Sequence, residues 1–431
     1  TIGMSVDANV LIYERIREER AAGKGLKLAV QDGYKNAYSA ILDANITTLL
    51  TAIILYRFGV GPIQGFATTL MIGIISSLFS AIFITRLVFT TMMDKDKHIS
   101  FDTKLTRNAF KGLKIKFLEK RKTAYIISGA IVLIAIISLI GRGLNPGIDF
   151  TGGRTYVVEF KDDVVPQELA SDLEAEFDSR PMVKTFGASN QVKIVTQYLI
   201  DEKTAEADAT VDSLLYSGLK PTLGEDVSMD KFLSDYRQSS QKVGPSIADD
   251  ILRKAYIAVG IALIVIFLYL LIRFRKWQYS VGAITALVHD VMVVLGIFSI
   301  FYTIMPFSLE IDQAFIAAIL TVVGYSINDT VVVFDRIREF MKTYPKRESK
   351  SNINNALNST VSRTFSTSLS TFFVLLTIFI FGGEVIRGFV FALLIGVIVG
   401  TYSSLFVATP VAFEMMKENK KTSKKPAKKK R

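Results

Sequence analysis

Long uncharged apolar runs are the feature of this sequence that most restricts its fold. Half of the 431 residues are hydrophobic. Many of them fall in blocks of about 20 residues, the length of a helix that crosses a hydrocarbon core of about 30 Å. A soluble enzyme does not concentrate its apolar residues in this way, and a transmembrane barrel needs shorter strands of alternating polarity. The sequence therefore predicts a polytopic α-helical membrane protein.

The apolar runs give complete candidate spans and one partial span. The partial span covers residues 1–14, and the complete ones cover 41–57, 63–92, 123–141, 254–272, 280–303, 312–335, 363–382 and 386–416. The first run is too short to span and lacks the basic leader of a signal peptide. We therefore expect the chain to be a fragment whose first helix has lost its front half. Gly382-Gly383 predicts a tight turn between the last two spans.

Charge in the loops predicts the orientation of the helices. When successive spans cross the membrane in alternating directions, five segments outside the spans lie on the same side. These segments hold 34 Lys or Arg residues against 13 Asp or Glu residues. Residues 142–253, on the other side, hold 12 against 20. Because Lys and Arg are retained in the cytoplasm, we expect residues 142–250 to be periplasmic and the C-terminus cytoplasmic. The net charge of +11 then reflects topology and does not point to nucleic acid.

These spans divide the chain into six parts. We expect three helices in residues 1–93, a basic cytoplasmic linker at 94–122, one span at 123–141, a periplasmic domain at 142–250, a five-helix region at 251–416 and a basic tail at 417–431. The composition of the tail favours disorder and attracts anionic lipids.

The periplasmic segment alternates predicted strands and helices. The strands are 154–160, 182–186, 191–196 and 241–243, the helices are 166–177 and 202–215, and 216–238 is expected to be loop with a short helix. This β-α-β-β-α-β order predicts a small ferredoxin-like α+β domain. The preceding motif GIDFTGG lacks a following helix and predicts a tight linker, and not a phosphate cradle. Its singled-out residues are Gly147, Asp149, Phe150, Gly152 and Gly153.

Two stretches of the membrane region repeat. Residues 3–18, GMSVDANVLIYERIRE, match residues 324–339, GYSINDTVVVFDRIRE, and later anchors keep an offset of 321 to 323. The repeat indicates two related helix-bundle halves. With spans that cross in alternating directions, both halves run the same way across the membrane. Of the first half, only the last three helices are present in the sequence.

Ionisable residues inside the spans mark the candidate functional site, because a charge at the bilayer centre costs at least about 2.5–3.5 kcal/mol. Asp329 lies mid-span beside Asn328, and Asp7 matches Asn328 in the repeat. Arg363 opens the next helix, so we expect an Asp329–Arg363 pair. This pair fits a proton relay, whose carboxylate changes charge as its partner moves. It also fits a static ion pair that fixes helix register.

Other intramembrane polar residues are expected to support this site. Asp43 and Asn45 occupy the first-half counterpart of the segment around Arg363, and His289-Asp290 lies well inside its span. A His titrates near neutral pH, yet a lone His is more often structural. With no Cys and two His residues, the chain offers little for a metal site. It also lacks hydrolase and kinase motifs, so we expect no enzyme and no cofactor other than an ion gradient.

Five stretches resemble one known family. DANVLIYERIREE, AILDANITT, GIDFTGG, VHDVMVVLG and GYSINDTVVVFDRIRE resemble the fused bacterial SecD–SecF proteins of the resistance–nodulation–division superfamily. Residues 1–93 resemble the end of the SecD half, and about 105–415 resemble a whole SecF half. The resemblance implies a Sec export subunit of the cytoplasmic (inner) membrane that uses the proton-motive force. It also implies that Asp7, Asp329 and Arg363 form the proton relay.

The resemblance further implies partners. These are the Sec translocon channel subunits, a YajC-like accessory subunit and unfolded preprotein on the periplasmic side. From the residues alone, two other functions stay open: a proton-coupled efflux or lipid exporter of the same superfamily, and a scaffold that recruits translocon subunits without transport. An exporter would carry larger external domains, and a scaffold would tolerate neutralisation of Asp329. Protons and sodium ions are not distinguished by a carboxylate site.

Overall fold

The computed structural model describes residues 2–59, 62–97, 99–101, 113–224 and 226–422. Within these ranges, eight helices are long and apolar enough to cross a membrane. They are Leu26–Phe58, Ile63–Asp94, Arg121–Gly141, Pro245–Phe274, Trp277–Phe301, Gln313–Thr343, Ser349–Phe381 and Glu384–Met416. Each overlaps one complete predicted span, so the polytopic helical fold is confirmed. Residues 102–112 of the predicted linker and 423–431 of the predicted lipid-binding tail lie outside the described residues.

The first half contains helices that are longer than predicted. They are α1 (Ile2–Ala21), α2 (Leu26–Phe58), α3 (Pro62–Phe79) and α4 (Thr85–Asp94), and a π-helical turn at Ser80–Ile84 joins α3 to α4. The front of α2 is charged, which hides it from a search for apolar runs. Its buried residues nevertheless recur on one face, including Ala29, Gly33, Ala37 and Ala40. This spacing is that of an amphipathic helix, which explains the earlier start.

A single helix, α5 (Arg121–Gly141), leads into a domain inserted at residues 142–244. The domain contains α6 (Ile148–Thr151), β1 (Gly153–Glu159), α7 (Pro166–Phe177), β2 (Met182–Phe186), β3 (Ala188–Thr196), α8 (Ala205–Leu223), α9 (Met229–Lys231) and β4 (Arg237–Val243). Its strands are antiparallel in the order β2-β3-β1-β4, the predicted ferredoxin-like arrangement. The prediction for 216–238 is confirmed for a short helix, α9. It is wrong for the start of this segment, because Leu219 and Leu223 continue the buried face of α8.

The second half completes the helix bundle. It contains α10 (Pro245–Phe274), α11 (Trp277–Phe301), α12 (Gln313–Thr343), α13 (Ser349–Phe381), α14 (Glu384–Ser403) and α15 (Thr409–Thr422), with a π-helical turn at Ser404–Ala408 before α15. Gly382 and Gly383 form the predicted turn between α13 and α14. Below, the bundle end next to the inserted domain is called the domain end, and the opposite end, which carries the basic loops, is called the basic end.

The two halves pack in a repeat-related way around α12. α1 packs on α2 and α13, and its repeat equivalent α12 packs on α13 and α2. Small residues allow close approach: a Cβ on Gly396 of α14 would lie 2.1 Å from Val322 Cγ2 of α12. Of the eight spans, α12 is the most enclosed, with 89% of its most apolar window buried. Polar residues on α12 therefore lie in the interior of the bundle.

The inserted sheet lies between its own helices and the bundle. Tyr156 and Val158 of β1 join the apolar core with Leu173 of α7 and Leu215 of α8. The opposite face of the sheet, including Lys193, lines a cavity of about 400 Å³ above the domain ends of α12 and α14. The sheet and these helix ends therefore face each other across the cavity.

Candidate functional site

Asp7 of α1 lies at the centre of a buried polar cluster between the two halves. Its Oδ2 accepts a hydrogen bond of 2.6 Å from Asn328 Nδ2 of α12, and its Oδ1 lies 2.9 Å from Arg363 Nη2 of α13. All three side chains are buried, as is the adjacent Asp329. Asp7 and Asn328 are equivalent in the sequence repeat. We call Asp7, Asn328, Asp329 and Arg363 the buried charge site.

The expected Asp329–Arg363 ion pair is wrong. Arg363 pairs with Asp7, while Asp329 accepts a long hydrogen bond of 3.5 Å from Ser368 Oγ. α13 packs against both α1 and α12, and a step of five residues along a helix turns a side chain onto another face. Arg363 therefore faces α1 and Ser368 faces α12. The prediction paired Arg363 with a carboxylate of α12, because α12 and α13 are consecutive in the chain. The nearer carboxylate belongs to α1 of the first half.

Asp329 is the carboxylate of the site without a direct cation partner. It is 2% exposed, and within the described residues no ion pair involves it. An ionised carboxylate buried without a paired cation is costly. Asp329 is therefore the group of this site best suited to exchange a proton.

Several polar atoms of the site are buried without a partner in the described part of the chain. They are Nε and Nη1 of Arg363 and Oδ1 of Asn328. Buried polar atoms are normally hydrogen-bonded. The guanidinium thus uses one of its nitrogens on Asp7 and keeps two that can take another partner, which suits a site whose contacts change.

His289 and Asp290 belong to a separate polar cluster. Asp290 is fully buried and accepts hydrogen bonds from Ser326 Oγ at 2.6 Å, Ser403 Oγ at 2.7 Å and His289 Nδ1 at 3.0 Å. These contacts join α11 to α12 and α14. Because the carboxylate is well satisfied by fixed hydroxyl donors, the cluster has the arrangement of a structural support for α12.

Asp43 and Asn45 do not reach the buried charge site. Asp43 pairs with Arg273 of α10, which also lies 2.9 Å from Asp335 of α12. Asn45 Nδ2 donates to the backbone oxygen of Ile41 in its own helix at 2.8 Å. Arg273 and Asp335 are absent from the predicted site residues, because their charges fit a basic loop equally well. Together with Asp43, they tie α2 to α10 and α12.

Two ion pairs near the basic end follow the symmetry of the repeat. Arg15 Nη2 lies 3.1 Å from Glu339 Oε2, and Arg336 Nη2 lies 2.5 Å from Glu18 Oε1. Arg15 matches Arg336 and Glu18 matches Glu339 in the aligned sequences. Each half therefore offers its Arg to the Glu of the other half. We call these contacts the reciprocal ion pairs; the matched YERIRE and FDRIRE stretches were a signal for them.

The GIDFTGG motif fastens the inserted domain to the start of α12. Gly147 N donates to the backbone oxygen of Ile311 at 2.8 Å, and Asp149 Oδ2 accepts from Gln313 N at 3.1 Å. The carboxylate thereby satisfies a free backbone donor in the first turn of α12. Asp149 thus connects the domain directly to the helix that carries Asn328 and Asp329.

The rest of the motif turns the chain into β1. Phe150 is buried in an apolar cluster with Phe315 of α12. Gly152 and Gly153 have φ angles of +69° and +148°, a backbone conformation that residues other than glycine rarely adopt. The motif is thus a tight linker that enters a strand, as the sequence predicted.

Asp312 at the domain end provides a pH-dependent prediction. Burial raises the pKa of Asp312 to about 6, whereas an unfolded Asp has a pKa of about 3.9. The folded state therefore holds a proton that the unfolded state has lost, and stability falls as pH rises from about 4 to about 6. In Asp312→Asn, the side-chain oxygen still accepts the hydrogen bond from Phe315 N, so the N-cap of α12 is kept. The variant has no titrating carboxyl at this position, so it lacks this pH dependence. Its stability relative to the native protein should rise by about 2 kcal/mol over that range.

Thermal unfolding in detergent at several pH values measures this difference. Asp172→Asn, which changes an exposed carboxylate on α7, is the control and should show no such trend. A stability difference for Asp312→Asn that is independent of pH would contradict the assignment.

The fold and the site define a class: a multi-pass membrane protein whose two repeated halves share one buried charge site. Comparison with known proteins places it further. The family described as "Protein export membrane protein SecD/SecF, C-terminal" matches residues 1–95 and 225–418, and "SecD/SecF GG Motif" matches residues 137–164. The chain therefore belongs to the SecD/SecF family of protein export membrane proteins.

Individual relatives agree with this family. The chain is 42% identical to protein translocase subunit SecF of Rhodothermus marinus, over 71% of this chain and 94% of that protein. It is 34% identical to protein translocase subunit SecDF of Thermus thermophilus, over 97% of this chain and 54% of that protein. The crystal structure of SecDF from Thermus thermophilus, a translocon-associated membrane protein, matches with a TM-score of 0.83 and 32% identity, over 96% of this chain and 53% of that chain. The chain thus spans about half the length of its SecDF relatives.

Proposed function

We propose that this protein assists Sec-dependent protein export and that its buried charge site couples proton flow to late translocation of preprotein. The cycle would alternate the protonation of Asp329 and the pairing of Arg363. Protonation removes the charge beside the Asp7–Arg363 pair and changes which arrangement of α1, α12 and α13 is most stable. The energy then comes from the proton gradient, without a cofactor.

The observation that carries this proposal is the continuity of α12. The helix holds Asn328 and Asp329 at its centre, and its first turn bonds to Asp149 of the inserted domain. Just before α12, Glu310 pairs with Lys193 of β3 at 2.7 Å. A shift of α12 caused by a change of charge at Asp329 therefore reaches the inserted sheet through hydrogen bonds and an ion pair.

The charge asymmetry of the chain supports an orientation. Basic segments are retained in the cytoplasm, so we place the basic end and the C-terminus there, with the inserted domain in the periplasm and the helices in the bacterial cytoplasmic membrane. This orientation puts the inserted domain where preprotein emerges. Partners would be the translocon channel subunits, a YajC-like subunit and unfolded preprotein, with anionic lipids near the basic tail.

Asp329→Asn tests the proposal, because it removes one ionisable group and keeps the shape of the side chain. The intact protein is placed in membrane vesicles with the translocon, and completion of preprotein export is followed with and without a proton gradient. We expect the gradient-stimulated part of export to fall at least about tenfold, since positioned proton-transfer groups contribute this much or more. Asp250→Asn, an exposed carboxylate on α10, should respond like the native protein.

An Asp329→Asn protein that keeps the full response to the gradient would contradict proton coupling. That result would favour a scaffold that recruits translocon subunits without transport. A sodium gradient applied in the same vesicles separates the two ions, because a proton-coupled protein does not respond to it.

A further inference from the structure

Glu14 is a part-buried carboxylate that the buried charge site does not use. It follows Asp7 by two turns of α1, so both side chains lie on the same face of the helix. The charged groups around it are Arg363 of α13, Arg336 of α12, and Arg15 and Glu18 of its own helix. Glu14 therefore lies between the buried charge site and the reciprocal ion pairs.

A small cavity connects Glu14 to Arg363. Its volume is about 30 Å³, and its lining includes Glu14, Arg363, Arg336 and Asp335, with Ala40 as the contribution of α2. A cavity of this volume is large enough to hold a water molecule that bonds to the charged side chains in its lining. Nε and Nη1 of Arg363, which is 3% exposed, have no hydrogen-bond partner among the described residues. Two donors are thus available to water beside the Glu14 carboxylate.

A larger cavity leads from this position to the basic end. It has a volume of about 620 Å³ and is lined mainly by polar and charged side chains, among them Arg273, Lys276 and Glu339. The two cavities share Arg15, Ala40 and Asp335. The wall between them is therefore about one side chain thick, and Arg15, a member of the reciprocal ion pairs, forms part of it.

We propose that Glu14 carries protons between the buried charge site and the basic-end cavity, and that the reciprocal ion pairs close this path. This inference rests on the proposed function and adds the route by which the proton leaves. A protonated carboxyl of the site gives its proton to water in the small cavity, and the Glu14 carboxylate accepts it. Glu14 then releases the proton to water of the larger cavity when Arg15 moves away from Glu339, and returns to its ionised form.

The reciprocal geometry supports the closing role. Arg15–Glu339 and Arg336–Glu18 both cross from one half to the other, and Arg15, Glu18 and Arg336 all line the small cavity. A shift that separates α1 from α12 lengthens both contacts at once, because each contact runs from one helix to the other. The same shift alters the Asp7–Asn328 contact, so opening of the path is linked to the state of the site.

The test compares Glu14→Gln, Glu14→Asp and Glu14→Ala in the intact protein, with the vesicle assay for gradient-stimulated export. Glu19→Gln is the matched control, since Glu19 is on the same helix and outside both linings. Asp329→Asn is measured in parallel. We expect Glu14→Gln to reduce the gradient-stimulated part at least about tenfold and Glu14→Asp to retain most of it. Formate, a small weak acid, should restore export to Glu14→Ala, whereas chloride should not.

The outcomes separate this inference from the proposed function. If Asp329→Asn loses the response and Glu14→Gln keeps it, the Glu14 path is wrong while proton coupling stands. If both keep it, proton coupling fails as well. If Glu14→Gln and Glu14→Ala lose the response and formate restores nothing, Glu14 is a structural residue, and the inference is overturned.

Discussion

Asp7→Asn is expected to destabilise the folded protein by about 3–5 kcal/mol, because it leaves the buried Arg363 guanidinium without its ion-pair partner. Arg363→Gln should cost a similar amount, since it leaves Asp7 beside Asp329 without a cation. The double variant Asp7→Asn/Arg363→Gln removes both charges together and should be more stable than either single variant. Thermal and denaturant unfolding in detergent measure the four members of this cycle.

An exposed ion pair provides the matched control. Asp250 and Lys254 lie 2.7 Å apart on α10, and both side chains are largely exposed. Asp250→Asn should cost only about 0.5 kcal/mol.

The double variant at the buried site should recover stability without recovering gradient-stimulated export, because no ion pair remains to switch. Equal and additive losses for Asp7→Asn and Arg363→Gln would show that the two residues do not act as a pair.

Gly153→Val is expected to have the second large effect, by disrupting the attachment of the inserted domain. The φ angle of Gly153 is +148°, and a Cβ there would lie 2.9 Å from Ile148 Cγ2 and 3.2 Å from the backbone oxygen of Thr196. Backbone strain costs about 1–3 kcal/mol, and overpacking costs a similar amount. We expect the domain to become sensitive to limited proteolysis and gradient-stimulated export to be lost.

Gly143→Val separates strain from contact. Gly143 also has a positive φ, +71°, but a Cβ there meets nothing within 4 Å. This variant should show the smaller effect of strain alone. Equal protease resistance of Gly153→Val and the native protein would contradict the role of the motif as a rigid attachment.

The sequence was sufficient to predict the elements that depend on local patterns. Runs of about 20 apolar residues located each complete span, and the alternation around Arg154–Phe160 located β1. Charged amphipathic segments were harder. The front of α2 and the end of α8 are helical because of buried residues spaced at helical intervals, which apolar-run length does not detect.

The residues of the buried charge site could be predicted, but their pairing could not. The cost of intramembrane charge identified Asp7, Asp329 and Arg363 one at a time. Whether Arg363 faces α1 or α12 depends on how helices from different halves pack, which lies beyond the spacing within one helix. The repeat held part of this information, because Asp7 and Asn328 are equivalent positions and contact each other.

The most direct measurement is the distance between the inserted domain and the basic end as the charge site changes its protonation. The chain contains no Cys, so spin labels can be attached at Asp172→Cys and Lys346→Cys, both exposed positions. Pulsed electron paramagnetic resonance then gives the distribution of distances between the two spin labels at about pH 5 and about pH 8. Perturbed carboxylates titrate within this range. We expect the distribution to shift with pH in the native background and to stay fixed in Asp329→Asn. A shift of the same size in both proteins would contradict coupling through the buried charge site.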